Sequence, residues 1–476
     1  MPDQAGGGAA EPMVSRVITS LRDEFRPEVV RSYLTPPRLL ALGFAAVIFA
    51  GTILLLLPFA TPPERPITAI DAFFTATSAV CVTGLVVKDL ATDFTLFGQI
   101  VILFLVQVGG LGYMATGTIL TLLIGRRIGM RERLLLRESF NVPTTGGIMR
   151  FVRGVLLLTL ATEAAGALAL FLSFLRTLDP GKAAYAAVFH AVSAFNNAGF
   201  SLFPTNLVAY RGDWFVNLAV SALIVGGGIG FVVFSDLVRW ARKEVNHPLL
   251  HTKIVLAATG VLVAGGTAVL WMLERSNPQS IGALSFPEQA LVSLFHSVAA
   301  RTAGFNTVDL STFTPSSLAA LMGLMFVGAS PGGTGGGIKT TTFVAMMAAL
   351  WATTRGEMDV TLFKRRIPTD IVAKSFFIAM LALGFVVSCA FVLLALETER
   401  VLGVTFEAFS AFGTVGLSIG DGGILSLSAK FSPAGKLVIC LLMFVGRLGP
   451  LTMSVAALRS HVQKRFRYPE GRVIIG

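Results

Sequence analysis

Long apolar tracts alternate with short charged connectors along the chain. Eight stretches, residues 38–60, 95–125, 150–175, 214–238, 251–273, 315–350, 371–396 and 432–458, read as membrane spans, since a helix needs about 20 apolar residues to cross the hydrocarbon core. Between the two members of each successive pair lies a shorter apolar segment: "DAFFTATSAVCVTGL" at 71–85, "VFHAVSAFNNAGF" at 188–200, "SLFHSVAARTAGF" at 293–305 and "TFEAFSAFGTVGL" at 405–417. Each has only about a dozen residues before its glycine, too few to span ~30 Å, so each is expected to enter the membrane and return. Gly84, Gly199, Gly304 and Gly416 are 115, 105 and 112 residues apart, and each is followed by Leu or Phe. The chain is thus a fourfold repeat whose unit is span, re-entrant segment, glycine turn, span.

Re-entrant backbone is tolerated at membrane depth only where it is buried in protein or lines an aqueous path, because lipid cannot satisfy bare amides and carbonyls. Four such turns in parallel units predict a pore about one axis. A stretch such as Cys81–Gly84, with glycine free to take positive φ, can turn carbonyl oxygens inward to replace the hydration shell of a cation. The short helices before the turns would aim their partially negative C-terminal ends at the same centre. The second spans also echo one another, in "GGLGYM" at 109–114, "GGIGFV" at 227–232, "GGIK" at 336–339 and "GRLGPL" at 446–451. Aligned this way, Gly110, Gly228, Gly337 and Arg447 correspond. The third unit carries the longer insertion "GASPGGTGGGIKTTT" at 328–342; its glycines and Lys-Thr pair lack the spacing of a phosphate-binding loop. Pro331 predicts a helix break there.

Composition agrees with a membrane protein. Hydrophobic residues make up 54% of the 476 and charged ones 14%, against about 25% charged in soluble domains. The net charge of +11 follows from topology: 26 of the 38 basic residues fall in the N-terminal arm, the inter-unit connectors and the tail, which the positive-inside rule makes cytoplasmic. A nucleic-acid surface need not be invoked. The opposite face leans acidic, with Asp71, Asp89, Asp93, Asp309 and Asp421 among its residues. The first 36 residues are expected to form a cytoplasmic arm, not a signal peptide. Cys81, Cys389 and Cys440 make no disulfide or zinc pattern.

The four glycine turns in register, the interrupted sixth tract with "GGTGGGIKTTT", and "VGRLGP" in the last tract together resemble the Trk/Ktr/HKT superfamily of potassium transporters over residues 38–460. Within it the pattern is similar to the membrane subunits of the Ktr type, since no additional pair of spans precedes the first repeat. The resemblance implies an all-α integral membrane fold of four tandem helix/re-entrant pore helix/helix repeats, eight spans around a pseudo-fourfold pore. The expected units are an arm (1–36), repeats at 37–125, 149–240, 249–350 with an intramembrane gating loop at 328–342, and 370–460, and a tail (461–476). Carried over by position, the selectivity filter is Cys81, Val82, Thr83 and Gly84; Asn196, Asn197, Ala198 and Gly199; Arg301, Thr302, Ala303 and Gly304; and Gly413, Thr414, Val415 and Gly416. The gate is Gly332, Gly333, Thr334, Gly335, Gly336, Gly337, Lys339 and Arg447. Gly84 points to potassium, because in plant relatives serine there accompanies sodium selectivity. The resemblance also implies a homodimer, both termini cytoplasmic in a bacterial inner membrane, a potassium ion in the filter, sodium stimulation in some members, and a cytoplasmic nucleotide-binding regulatory subunit of KtrA or TrkA type. No cofactor is implied on this chain.

Other readings weigh less. An ion-coupled secondary transporter also uses unwound helices at mid-membrane, but commonly in inverted repeats, whereas these four units share one orientation. An enzyme acting on lipid lacks a converging nucleophile, base and orienter. Arg301 beside a cation path is expected to turn away from the axis, toward Glu288 or another carboxylate. Arg447, costing about 2.5–3.5 kcal/mol at the bilayer centre, is expected to face the bundle interior, with Glu163 as a candidate partner. His190 and His296 read as packing groups rather than metal ligands.

Overall fold

A computed structural model describes residues 36–112, 148–420 and 423–457; the arm before residue 36, the connector 113–147, with "GRRIGMRERLLLRESF" and the end of the second tract, Asp421 and Gly422, and the tail from 458 lie outside the described residues. The first repeat unit comprises α1 (Pro36–Leu55), α2 (Ala69–Val80) and α3 (Leu96–Leu111). The second has α4 (Ile148–Phe174), α5 (Pro180–Phe195), α6 (Trp214–Gly228) and α7 (Phe231–Ala241). The third has α8 (Leu250–Glu274), α9 (Phe286–Ala299), α10 (Pro315–Phe326) and α11 (Thr340–Thr354). A small antiparallel hairpin, β1 (Thr361–Leu362) and β2 (Arg365–Arg366), leads to the fourth: α12 (Thr369–Leu396), α13 (Val401–Gly413), α14 (Pro433–Leu448) and α15 (Pro450–Ala457).

The first helix of each unit contains a stretch long and apolar enough to cross a membrane: Pro37–Leu55, Arg150–Phe174, Leu250–Glu274 and Thr369–Leu396. The second members are interrupted. Tracts 214–238 and 432–458, read from the sequence as spans, are each divided into two helices at a glycine. The helices α6 and α7 meet at 99°, because Gly230 takes φ +94, and Gly449 (φ +87) separates α14 from α15. Gly112 (φ +83) ends α3 in the same way. A left-handed residue terminates a helix, and hydropathy is blind to the sign of φ. The sixth tract breaks at 327–339, as Pro331 predicts.

Each unit is closed by one recurring device. The residue preceding the second helix is an N-cap, Thr95, Asp213, Thr314 or Ser432, whose side chain accepts from backbone amides of the first turn, satisfying donors that helices leave free. That cap is tied to the end of the same unit's first helix, or in the first unit to the turn that follows it. Thr95 Oγ1 donates to Phe59 O at 2.6 Å, Ser173 Oγ to Asp213 Oδ2 at 2.9 Å, Thr314 Oγ1 to Glu274 Oε1 at 2.8 Å and Ser432 Oγ to Glu397 Oε1 at 2.7 Å. The short helices α2, α5 and α13 pack on the first and second members of their own units, whereas α9 packs on α8 of its own unit and on α6 of the second. All four are rich in fully buried alanine and phenylalanine.

The acidic lean read from the sequence is partly structural. Asp71, at the start of α2, pairs with Lys436 of α14 at 2.7 Å, both side chains about one-tenth exposed. The pair joins the first unit to the fourth. Lys436→Met leaves a buried carboxylate without its cation, a loss of about 3–5 kcal/mol. The expected result is a clear drop in the thermal unfolding temperature of the detergent-solubilised protein, and an unchanged temperature would refute it.

Candidate functional site

The four short helices end in the same backbone conformation. The second residue of each turn, Val82 (φ +56), Asn197 (φ +58), Thr302 (φ +79) and Thr414 (φ +50), lies in the left-handed region, as does the fourth, Gly84 (φ +86), Gly199 (φ +71), Gly304 (φ +71) and Gly416 (φ +92). Non-glycine residues adopt such φ uncommonly, and strained backbone of this kind clusters at functional sites. Here it recurs four times at one position.

The glycines meet in a closed cycle. A Cβ built on Gly84 would stand 3.1 Å from the Cα of Gly199; one on Gly199, 3.1 Å from Gly304; one on Gly304, 3.1 Å from Gly416; and one on Gly416, 3.1 Å from Gly84. In the same cyclic order each such Cβ would collide with the carbonyl oxygen preceding the next glycine: Ala198, Ala303, Val415 and Thr83. The turns therefore approach each other backbone to backbone, which only glycine allows. A cavity of about 30 Å³ has all four glycines in its wall, completed by the linkers that run on to the second helices, with Asn206, Asn306, Ser418 and Ser426 among its polar groups.

The turns are braced by serines that motif reading missed. Ser78 Oγ donates to Leu85 O at 2.9 Å and accepts from Gly84 N at 3.1 Å. Ser193 Oγ donates to Phe200 O at 2.8 Å, and Ser410 Oγ accepts from Gly416 N at 3.1 Å. The signal was present as a serine six residues before the glycine in three units; Val298 replaces it in the third.

The insertion of the third unit packs against the other side of the turns. It returns on itself through Gly328 N to Ile338 O at 2.9 Å and Ala329 N to Gly336 O at 3.2 Å. Neighbouring units hold it: Phe231 N donates to Gly332 O at 3.0 Å, Thr334 N to Gly227 O at 3.1 Å and Gly337 N to Gly446 O at 3.2 Å. Gly333 lies against the carbonyl oxygens of Gly227 and Gly228. Three consecutive residues touch the left-handed position of three turns. Thr334 Oγ1 is 3.3 Å from the Asn197 side chain, Gly335 abuts Thr302, and Gly336 N donates to Thr414 Oγ1 at 2.9 Å. Lys339 caps α11, and its Nζ donates back to Gly335 O at 2.8 Å. Arg447 donates to Thr334 O in the loop and to Gly109 O and Gly110 O at the end of α3. The loop is thus fastened to all four units.

Three expectations are corrected by this geometry. Arg447 is partnered by backbone carbonyls, not by Glu163, which instead accepts from Asn196 Nδ2 at 3.0 Å. Arg301 is buried and lines a small cavity with Ile224, Val225, Thr259 and Val263, while Glu288 closes a capping box with Ser285 at the far end of α9. A helix length separates them. The third correction concerns "GGIK": Gly109, Gly227 and Gly446 each abut the carbonyl oxygen of the residue preceding the turn, Val80, Phe195 and Phe412, whereas Gly336 abuts Thr414. The insertion carries its glycines out of register with the other units. His190 bonds Ser201 Oγ at 2.9 Å and Ala186 O at 2.7 Å, and His296 bonds Val292 O at 2.9 Å.

Residues 41–467 match the family described as TrkH, cation transport protein. The chain belongs to the TrkH cation-transport family. It is 40% identical to "Ktr system potassium uptake protein B" of Bacillus subtilis, over 93% of this chain and 97% of that one, and 38% identical to the protein of the same name from Vibrio alginolyticus, over 92% and 95%. Its fold is similar to the crystal structure of the potassium transporter TrkH from Vibrio parahaemolyticus, with a TM-score of 0.70 over 88% of this chain and 83% of that one at 19% identity. TrkH-family proteins are membrane transporters, which are not an enzyme class.

Proposed function

We propose that this chain is the pore subunit of a potassium-uptake system in a bacterial cytoplasmic membrane, with eight spans in four units around a pseudo-fourfold axis. The single observation behind this reading is the closed cycle of four glycine turns. Carbonyl oxygens of Cys81–Gly84, Asn196–Gly199, Arg301–Gly304 and Gly413–Gly416 would replace the hydration shell of a potassium ion, as in other filters built from backbone. The segment Gly332–Gly337, with Lys339 and Arg447, would be the gate. It abuts the left-handed residues of three turns from the side opposite the mouth cavity, where it would obstruct the ion path.

The names of the Bacillus and Vibrio relatives supply the ion. A homodimer, and a cytoplasmic nucleotide-binding subunit that moves the loop, complete the proposal. Expression in a bacterium lacking its own potassium importers is expected to restore growth in low potassium and rubidium uptake, with more uptake when a Ktr-type regulatory subunit is co-expressed. Absence of both, with the protein verified in the membrane, would defeat the reading. The same assay with and without sodium tests sodium stimulation.

A further inference from the structure

Behind the second turn lies a buried carboxylate, Glu163, with no cation beside it among the described residues. Glu163, on α4, has two amides as partners: Asn196 Nδ2 at 3.0 Å and the Gln107 side chain. Asn196 Nδ2 is also 2.8 Å from Gln107 Oε1 and 2.9 Å from Val192 O, and its Oδ1 is pressed against Gly110. The two N–H groups thus have three acceptors within reach, while the Oδ1 is buried without a hydrogen-bond partner. Among the described residues no ion pair involves Glu163. Arg447 bonds the carbonyl of Gly110 and makes no hydrogen bond to Glu163 or Asn196.

A buried carboxylate is costly unless it is hydrogen-bonded and its charge compensated. The amides supply N–H donors, which suit the acceptor-only ionised form, yet they bring no net charge. Asn196 is also the first residue of the second filter segment, so a cation in the ion path would supply the counter-charge that Glu163 finds nowhere among the described residues. We propose that Glu163 supplies a fixed negative charge behind the inner end of the filter, held and oriented through Asn196 and Gln107, and thereby strengthens cation binding there. The inference rests on the filter reading above.

Glu163→Gln is nearly isosteric, so packing is kept while the charge is lost. A unit charge roughly 10 Å from a cation, at an effective dielectric constant of about 20, changes affinity about tenfold. The KM for rubidium uptake is expected to rise by about that factor, with maximal rate and membrane abundance close to wild type. The exchange Gln107→Glu/Glu163→Gln moves the carboxylate to the other side of Asn196 Nδ2 and should restore most of the lost affinity. An unchanged KM in E163Q, or no recovery in the exchange variant, overturns the proposal. Should E163Q fail to reach the membrane, the exchange variant decides alone: a KM near wild type supports the proposal and a raised one refutes it. A wild-type chain that takes up no rubidium would instead defeat the filter reading, so the two failures are distinguishable.

Discussion

Replacing Gly84 by serine is expected to abolish preferential potassium uptake. Two costs combine at this position. The backbone holds φ at +86, which an L-residue adopts at about 1–2 kcal/mol. The new Cβ would also collide with the carbonyl oxygen of Ala198 and stand 3.1 Å from the Cα of Gly199. The obstacle is backbone, so no side chain can swing aside. The serine is accommodated only if the turn of the second unit moves, and the carbonyl cage with it. A shift of a few tenths of an ångström there changes which dehydrated cation fits. Rubidium uptake in competition with sodium is the measurement, and the preference for rubidium is expected to fall at least about tenfold, the equivalent of ~1.4 kcal/mol. Gly384→Ser, on α12 with nothing within 4 Å of its Cβ, is the control and should behave as wild type. Retained preference in Gly84→Ser would remove the ring from the selectivity mechanism.

The repeat was legible in the sequence because its turns are punctuated by residues with a backbone reason to be there. Gly84, Gly199, Gly304 and Gly416 recur at one period, and all four prove to have positive φ. Pro331 marked the interruption of the sixth tract for the same kind of reason. The break at Gly230 was not legible, because apolar residues continue on both sides and a glycine within an apolar run is also compatible with close helix packing. The break at Gly449 did carry a signal, Pro450 directly after it, which the hydropathy reading passed over. Partners of buried charges were the least accessible. Glu163 and Asn196 are 33 residues apart, Arg447 and Gly110 are 337 apart, and neither spacing has a periodicity to read. The assignment of Arg301 to Glu288 failed because Glu288 lies in the first turn of α9 and Arg301 follows its C-terminal end, so the helix holds the two apart.

Arg447→Ala is expected to release the intramembrane loop and raise the maximal uptake rate. The guanidinium holds Thr334 O to the carbonyls of Gly109 and Gly110 and so fastens the loop to the first unit. Hydrogen bonds from a charged donor contribute about 1.5–3 kcal/mol net. Losing about 1.4 kcal/mol shifts a closed-to-open ratio tenfold. If the loop is closed about nine-tenths of the time, its removal can raise flux about five-fold and at most tenfold. The freed carbonyls face a region that water can enter once the loop swings away, so they carry no lasting penalty. Removing a fixed positive charge next to the ion path acts in the same direction. Arg447→Lys keeps the charge but not the planar fork that reaches several carbonyls together, so its rate should fall between the two. The discriminating measurement is the rubidium uptake rate at saturating concentration, with and without a regulatory subunit. Gating by the loop requires that the alanine variant lose most of its dependence on that subunit. A rate below wild type at equal abundance would mean that Arg447 stabilises the conducting arrangement, and the loop's contacts with Asn197, Thr302 and Thr414 would then be props of the filter rather than a closed gate.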